Sequence, residues 1–192
     1  MIFIDIIVYF LFSEEVKTMR IVATKNRKRR KKYPWRIILD NGRQIPIPSQ
    51  HDFKSDFIQR HGCSLVAFYM ALRFRGKKKN VHQCLDYARK HLKCSAKYSL
   101  KELCKGINQI CSKGSAVYKT SLTNEQLMSH LKKGQMVLFE ERNPIHTVVL
   151  LYDANKKQVL RFSDGKKNVT TAAKENAKRC TSNNYKGIVI VK

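Results

Sequence analysis

Apolar residues along this chain recur with a helical period through the first half of the body and with a strand period through the second. The change comes close to residue 135. Ahead of it, Trp35 to Leu39 and Gln44 to Ile47 read as two short strands joined by a turn at Asp40-Asn41-Gly42. Residues 63 to 75 are apolar on nearly every face, the pattern of a helix enclosed by other structure. Gly76 and the lysines after it end that helix.

Residues 80 to 92 predict an amphipathic helix with Val81, Cys84, Leu85 and Ala88 on its buried side. The pattern repeats at Leu100, Leu103, Cys104, Ile107 and Ile110, where Ser99 and Glu102 resemble a capping box. Thr123 or Asn124 then caps a shorter helix carrying Leu127, Met128 and Leu131, closed by Gly134. From Gln135 onward the stretches QMVLFE, HTVVLLYD, QVLRFSD and GIVIVK are strands. The expected architecture is therefore α+β: a helical first half around a buried central helix, then an antiparallel sheet.

The chain of 192 residues supports one core, placed at residues 34–192. Residues 1–33 read as an extension outside it. The opening run MIFIDIIVYFLF is too short for a membrane-spanning helix and is interrupted by Asp5. With no Lys or Arg before Lys17 and no small-residue cleavage site, it does not fit a signal peptide either. Met19 is thus the expected start of translation, since codons for Ser13-Glu14-Glu15 readily spell a purine-rich ribosome-binding sequence. Residues 20 to 33 follow with eight Lys or Arg and no acid. The block from Lys25 to Lys32 reads as a solvated basic arm. It lacks the interleaved aromatics of a nucleic-acid stacking surface.

Charge adds a constraint on partners. The sequence holds 39 Lys and Arg against 14 Asp and Glu, a formal net charge of +25. Such an excess favours anionic partners, whether an acidic peptide, a nucleic acid or a lipid surface. The six cysteines, Cys63, Cys84, Cys94, Cys104, Cys111 and Cys180, contain no pair at zinc-knuckle or redox spacing. Reduced thiols in a cytoplasm are expected, with no metal site.

One cysteine stands apart. In GCSLVAFYMAL, Cys63 opens the most apolar helix of the chain. There the helix dipole and the first-turn N–H groups favour thiolate. Two later strands offer it partners. If Tyr152 pairs with Gln158, Leu150 pairs with Leu160, Val148 with Phe162 and His146 with Asp164. Directly opposed residues share a face with Cβ atoms ~5 Å apart. A slip of one residue would send them to opposite faces. Cysteine, histidine and a carboxylate in this relation form the logic of nucleophilic acyl transfer. His61, two residues before Cys63, is read as a cleft-lip residue. His51, His82, His91 and His130 are read as surface or packing residues.

QRHGCSLVAFYMAL, LKKGQMVLFEERNPIHTVVLLYD and VLRFSDG together resemble the papain-like cysteine peptidases, in particular the double-glycine leader peptidases and their stand-alone bacterial relatives. The resemblance spans roughly residues 55 to 166. It implies a papain-like two-part α+β domain with the site in the cleft, Cys63 as nucleophile, His146 as general base and acid, and Asp164 as the orienting residue. It implies no metal or organic cofactor, and a peptide or protein substrate. Family members usually carry an oxyanion-donating glutamine about six residues before the nucleophile. Position 57 is Phe here, Gln59 is the nearest candidate, and Gln50 is the other. The residue after the cysteine, Ser64, also departs from the small residue common there.

Two further readings keep the same fold. One is an inactive homologue that binds an anionic partner, and the other is acyl transfer or deamidation on the same triad. For the start codon, the intact mass of natively expressed protein is expected to match a chain beginning at Met19; a product beginning at Met1 overturns that expectation.

Overall fold

A helix that is apolar all round must be covered all round, and the rest of the chain is arranged to do this. The computed structural model describes residues 22–25, 35–39, 41–94, 98–142, 145–180 and 187–192. The opening apolar run, Met19, Asp40 and positions 26–32 of the basic block lie outside the described residues.

Strands β1 (Val22–Lys25), β2 (Trp35–Ile38) and β3 (Gln44–Ile47) form an antiparallel three-stranded sheet in that order. β1 therefore belongs to a sheet, although it lies in the stretch expected to stand outside the domain. A 3₁₀ turn at Gln50–Asp52 leads into helix α1 (Asp56–His61), then α2 (Cys63–Phe74), α3 (Val81–His91) and α4 (Leu100–Ile110). The second half holds β4 (Ala116–Lys119), α5 (Asn124–Lys132), β5 (Met136–Glu141), β6 (His146–Asp153), β7 (Gln158–Ser163), β8 (Lys166–Thr170), α6 (Ala172–Lys178) and β9 (Ile188–Val191). Its six strands pair antiparallel in the order β4-β9-β5-β6-β7-β8.

The expected α+β class is the observed one. Ten of the twelve residues of α2 are buried, every one except Cys63 and Arg73. Ile37, Ile45 and Ile47 of the small sheet cover this helix on one side, and Val149, Leu151, Leu160 and Phe162 of the large sheet cover it on another. Leu85 and Ala88 of α3 and Leu103 and Ile107 of α4 join the same core. The far face of the large sheet carries Val137, Val148, Leu150 and Val159 and packs on Leu127 and Leu131 of α5 and Ala172 of α6.

Local sequence explains the boundaries. Asn80 and Thr123 form full capping boxes with Gln83 and Gln126. Ser99 caps α4 through the Glu102 N–H, while the Glu102 side chain accepts from Lys93 N instead of closing the box. Cys84 and Cys104 are core residues as their periodicity predicts, and Cys111 is partly exposed. No helix among the described residues is long and apolar enough to cross a membrane.

Phe68 is fully buried on α2. A Cβ added at Gly106 of α4 would stand 3.0 Å from the tip of its ring. Phe68→Ala is expected to lower unfolding stability by about 3–5 kcal/mol, read as a shift of the urea midpoint at unchanged m-value.

Candidate active site

The break between α1 and α2 creates the position of Cys63. Gly62 has helical angles, and its N–H still bonds the Ile58 carbonyl at 2.8 Å. A Cβ there would stand 2.1 Å from Ile58 O, so no larger residue fits the junction without displacing backbone. One step on, the Gln59 carbonyl, which an uninterrupted helix would offer to the Cys63 N–H, accepts the Gln50 amide instead, at 2.7 Å. α2 thus begins afresh at Cys63, with a new first turn of N–H groups.

Cys63 lines a narrow slot between α2 and the end of the large sheet. Ile47, Pro48 and Gln50 form one wall, and His146, Thr147, Ser163, Asp164 and Gly165 form another. The three residues expected to act together therefore border one cleft. Their contacts differ from the expected ones. The Cys63 thiol lies 3.7 Å from the Thr147 hydroxyl. The His146 ring bonds the Ser163 hydroxyl through Nε2 at 2.8 Å. The Asp164 carboxylate accepts the Ser49 hydroxyl and lies 3.8 Å from His51 Nε2.

The cause is the register of one hairpin. Gln158 pairs with Asp153 and Val159 with Tyr152, so Leu160 faces Leu151 and Phe162 faces Val149. This corrects the expected Tyr152–Gln158 pairing by one residue, and with it the direct opposition of His146 and Asp164. The turn chemistry accounts for it. The buried Asp153 carboxylate accepts the Asn155 and Lys156 N–H groups at 3.1 and 3.2 Å. Lys157 completes the turn in the left-handed region, at φ 50°. The aspartate thereby closes a four-residue loop at its own position, as Asx turns do. In the resulting alternation Thr147, Val149 and Leu151 turn toward α2. His146 shares the parity of Val148 and Leu150, and Ser163 that of Val159.

Asp164 leaves β7 in the left-handed region, at φ 49°, and Gly165 follows at φ 71°. A side chain at Gly165 would meet Ser49 at 3.0 Å, so glycine allows the β7–β8 turn to seat against the loop after β3. That loop is itself cross-braced, with Ser49 N donating to Asp52 Oδ2 at 2.7 Å and His51 N donating to Ser49 Oγ at 3.1 Å.

Gln59, the nearest oxyanion candidate by sequence, spends its amide on the Phe53 carbonyl at 2.7 Å and does not line the slot. Gln50 lines it instead. The remaining histidines sit as packing or surface residues: His61 against the Phe57 ring at 5.5 Å, His82 against Phe53 at 5.5 Å, His91 against Tyr87 at 4.6 Å, and His130 bonded to Gln135 at 2.7 Å. Thr147, Ser163 and Ser49 escaped sequence reasoning because nothing local marks them. The Asp153-Ala154-Asn155 turn was the signal that would have yielded the first two, through the register. Among the described residues no group of three or more His, Cys, Asp or Glu is placed to hold a metal ion.

Burial raises four of the other five thiols. Burial pushes Cys84 up to about 12 despite Lys79 nearby. Burial also raises Cys94 and Cys104, and it raises Cys111 against the opposing pull of Lys77 and Arg75.

Comparison with protein-family models, curated proteins and solved structures returns no match. Two outcomes are expected from the geometry of the chain itself. Brief alkylation of the folded protein near pH 8 should spare Cys84, and peptide mapping reads this directly. Gly62→Ala should cost about 1–3 kcal/mol, the usual scale of overpacking, and should also change the alkylation rate of Cys63, because it displaces the start of α2.

Proposed function

We propose that this chain is a thiol hydrolase of the papain-like type that cleaves peptide bonds, with Cys63 as nucleophile and His146 as general base and acid. The observation that carries this reading is the convergence of Cys63, His146 and Asp164 on one slot, from a helix start and two strand ends far apart in the chain. A thiol at the first residue of a buried helix sits where the macrodipole and first-turn N–H groups favour its anion. The same N–H groups supply oxyanion donors once the thiolate attacks a carbonyl.

In the first step the Cys63 sulfur bonds to the scissile carbon while its proton passes to His146. The tetrahedral oxyanion then collapses, and His146 returns the proton to the departing amine. Water, deprotonated by His146, next attacks the thioester and regenerates the thiol. His146 bonds the Ser163 hydroxyl in this structure, and catalytic contacts between a nucleophile and its base commonly tighten only around substrate. The strong positive charge of the chain, with exposed Lys54, Arg60 and Lys166 on the segments flanking the slot, suits an acidic peptide.

Cys63→Ala and His146→Ala are each expected to lower turnover of a responsive peptide library by about three orders of magnitude. Turnover surviving either change rejects the assignment. A peptide-like thiol electrophile should modify Cys63 in preference to the other five cysteines, and indiscriminate labelling counts against a reactive thiolate.

A further inference from the structure

The His146 ring is held by Ser163. We infer that Ser163, not Asp164, is the positioning residue of this site, fixing the orientation of the imidazole; the inference rests on the reading of Cys63 and His146 above. The 2.8 Å contact to the Ser163 hydroxyl uses Nε2, the ring nitrogen farther from the backbone. The Asp164 carboxylate is committed elsewhere, accepting the Ser49 hydroxyl and facing His51. Gly165 and Ser49 meet so closely that the turn bearing Asp164 belongs mechanically to the wall formed by the loop after β3. Asp164 thus fastens two walls together, and the residue before it orients the ring.

The consequence is electrostatic. A serine hydroxyl can hold the ring in place as donor or acceptor, but it carries no charge to stabilise imidazolium. The charged groups around the ring give it little compensation. Glu141 lies directly opposite His146 on β5, but its carboxylate is paired with Arg161 of β7 at 2.6 Å. Lys166 of β8 stands opposite Ser163, and Glu140 stands opposite Thr147 on the other face of β5. Asp164, which faces His51, and Cys63 border the slot that His146 also lines. Ser163 therefore orients the ring without placing a charge beside it, whereas a carboxylate in its place would favour the imidazolium form.

The test uses the full chain with two readouts: nitrogen chemical shifts of the His146 ring across pH, and the rate at which iodoacetamide alkylates Cys63. Ser163→Ala should move the Nε2 resonance and slow alkylation about tenfold, Ser163→Thr should restore both, and Ser163→Asp should raise the midpoint of the His146 titration by about one pH unit. Asp164→Asn should leave the His146 ring signals in place. Ring signals that move in Asp164→Asn but not in Ser163→Ala overturn the inference, as does faster alkylation of Cys63 in Ser163→Ala. If Cys63 of the unaltered chain reacts no faster than exposed Cys94, the hydrolase reading fails, while the ring signals still decide the role of Ser163.

Discussion

Everything in this molecule is organised around the need to bury α2 on all sides. Ordinary amphipathic helices present one stripe to a core and the rest to water. This one has no polar stripe to expose. The chain answers with a small sheet, two further helices and the near face of a large sheet, which together enclose it. Such an enclosure has few openings, and the ends of the helix are the natural ones. At the C-terminal end, Arg43 of the β2–β3 turn closes over the Phe74 carbonyl at 2.8 Å. At the N-terminal end the enclosure stays narrowly open, and the residue at the opening is a cysteine.

The opening depends on a steric fact as much as on a chemical one. Gly62 lets α1 and α2 meet so closely that a methyl group would collide with the Ile58 carbonyl, and Gln50 takes the carbonyl that would have joined the two helices. Cys63 is thereby presented at a true helix start, although helical residues lie on both sides of it. A single longer helix would bury the thiol in mid-turn and remove the electrostatic advantage of a terminus.

Much of this was legible in the residues. The enclosed character of α2, the inward stripes of α3 and α4, the caps at Asn80, Ser99 and Thr123, and strands β5, β6, β7 and β9 all follow from period and capping chemistry. What escaped were elements whose reasons are tertiary. β8 exposes much of its surface, including Val169 at 58%, so its sequence shows no strand alternation. β4 is four residues long, and β1 hides beside a run of charge. The site was legible as a set of residues but not as a set of contacts. Cys63, His146 and Asp164 do border one slot, yet which hydroxyl each one meets is set by a hairpin register that sequence spacing leaves ambiguous by one.

That register turns on Asp153, and its turn carries an unusual kind of constraint. Surface loop tips ordinarily accept extra residues with little harm. Here the loop from Ala154 to Lys157 acts as a phase setter for the strand that follows. A two-residue change in its length would preserve which side chains of β7 look toward α2. A one-residue change would exchange the two faces, sending Leu160 and Phe162 outward and Arg161 into the core. The loop is free in composition but bound in parity, and variation among natural versions of this chain should respect even steps more strictly than it respects any particular residue outside Asp153.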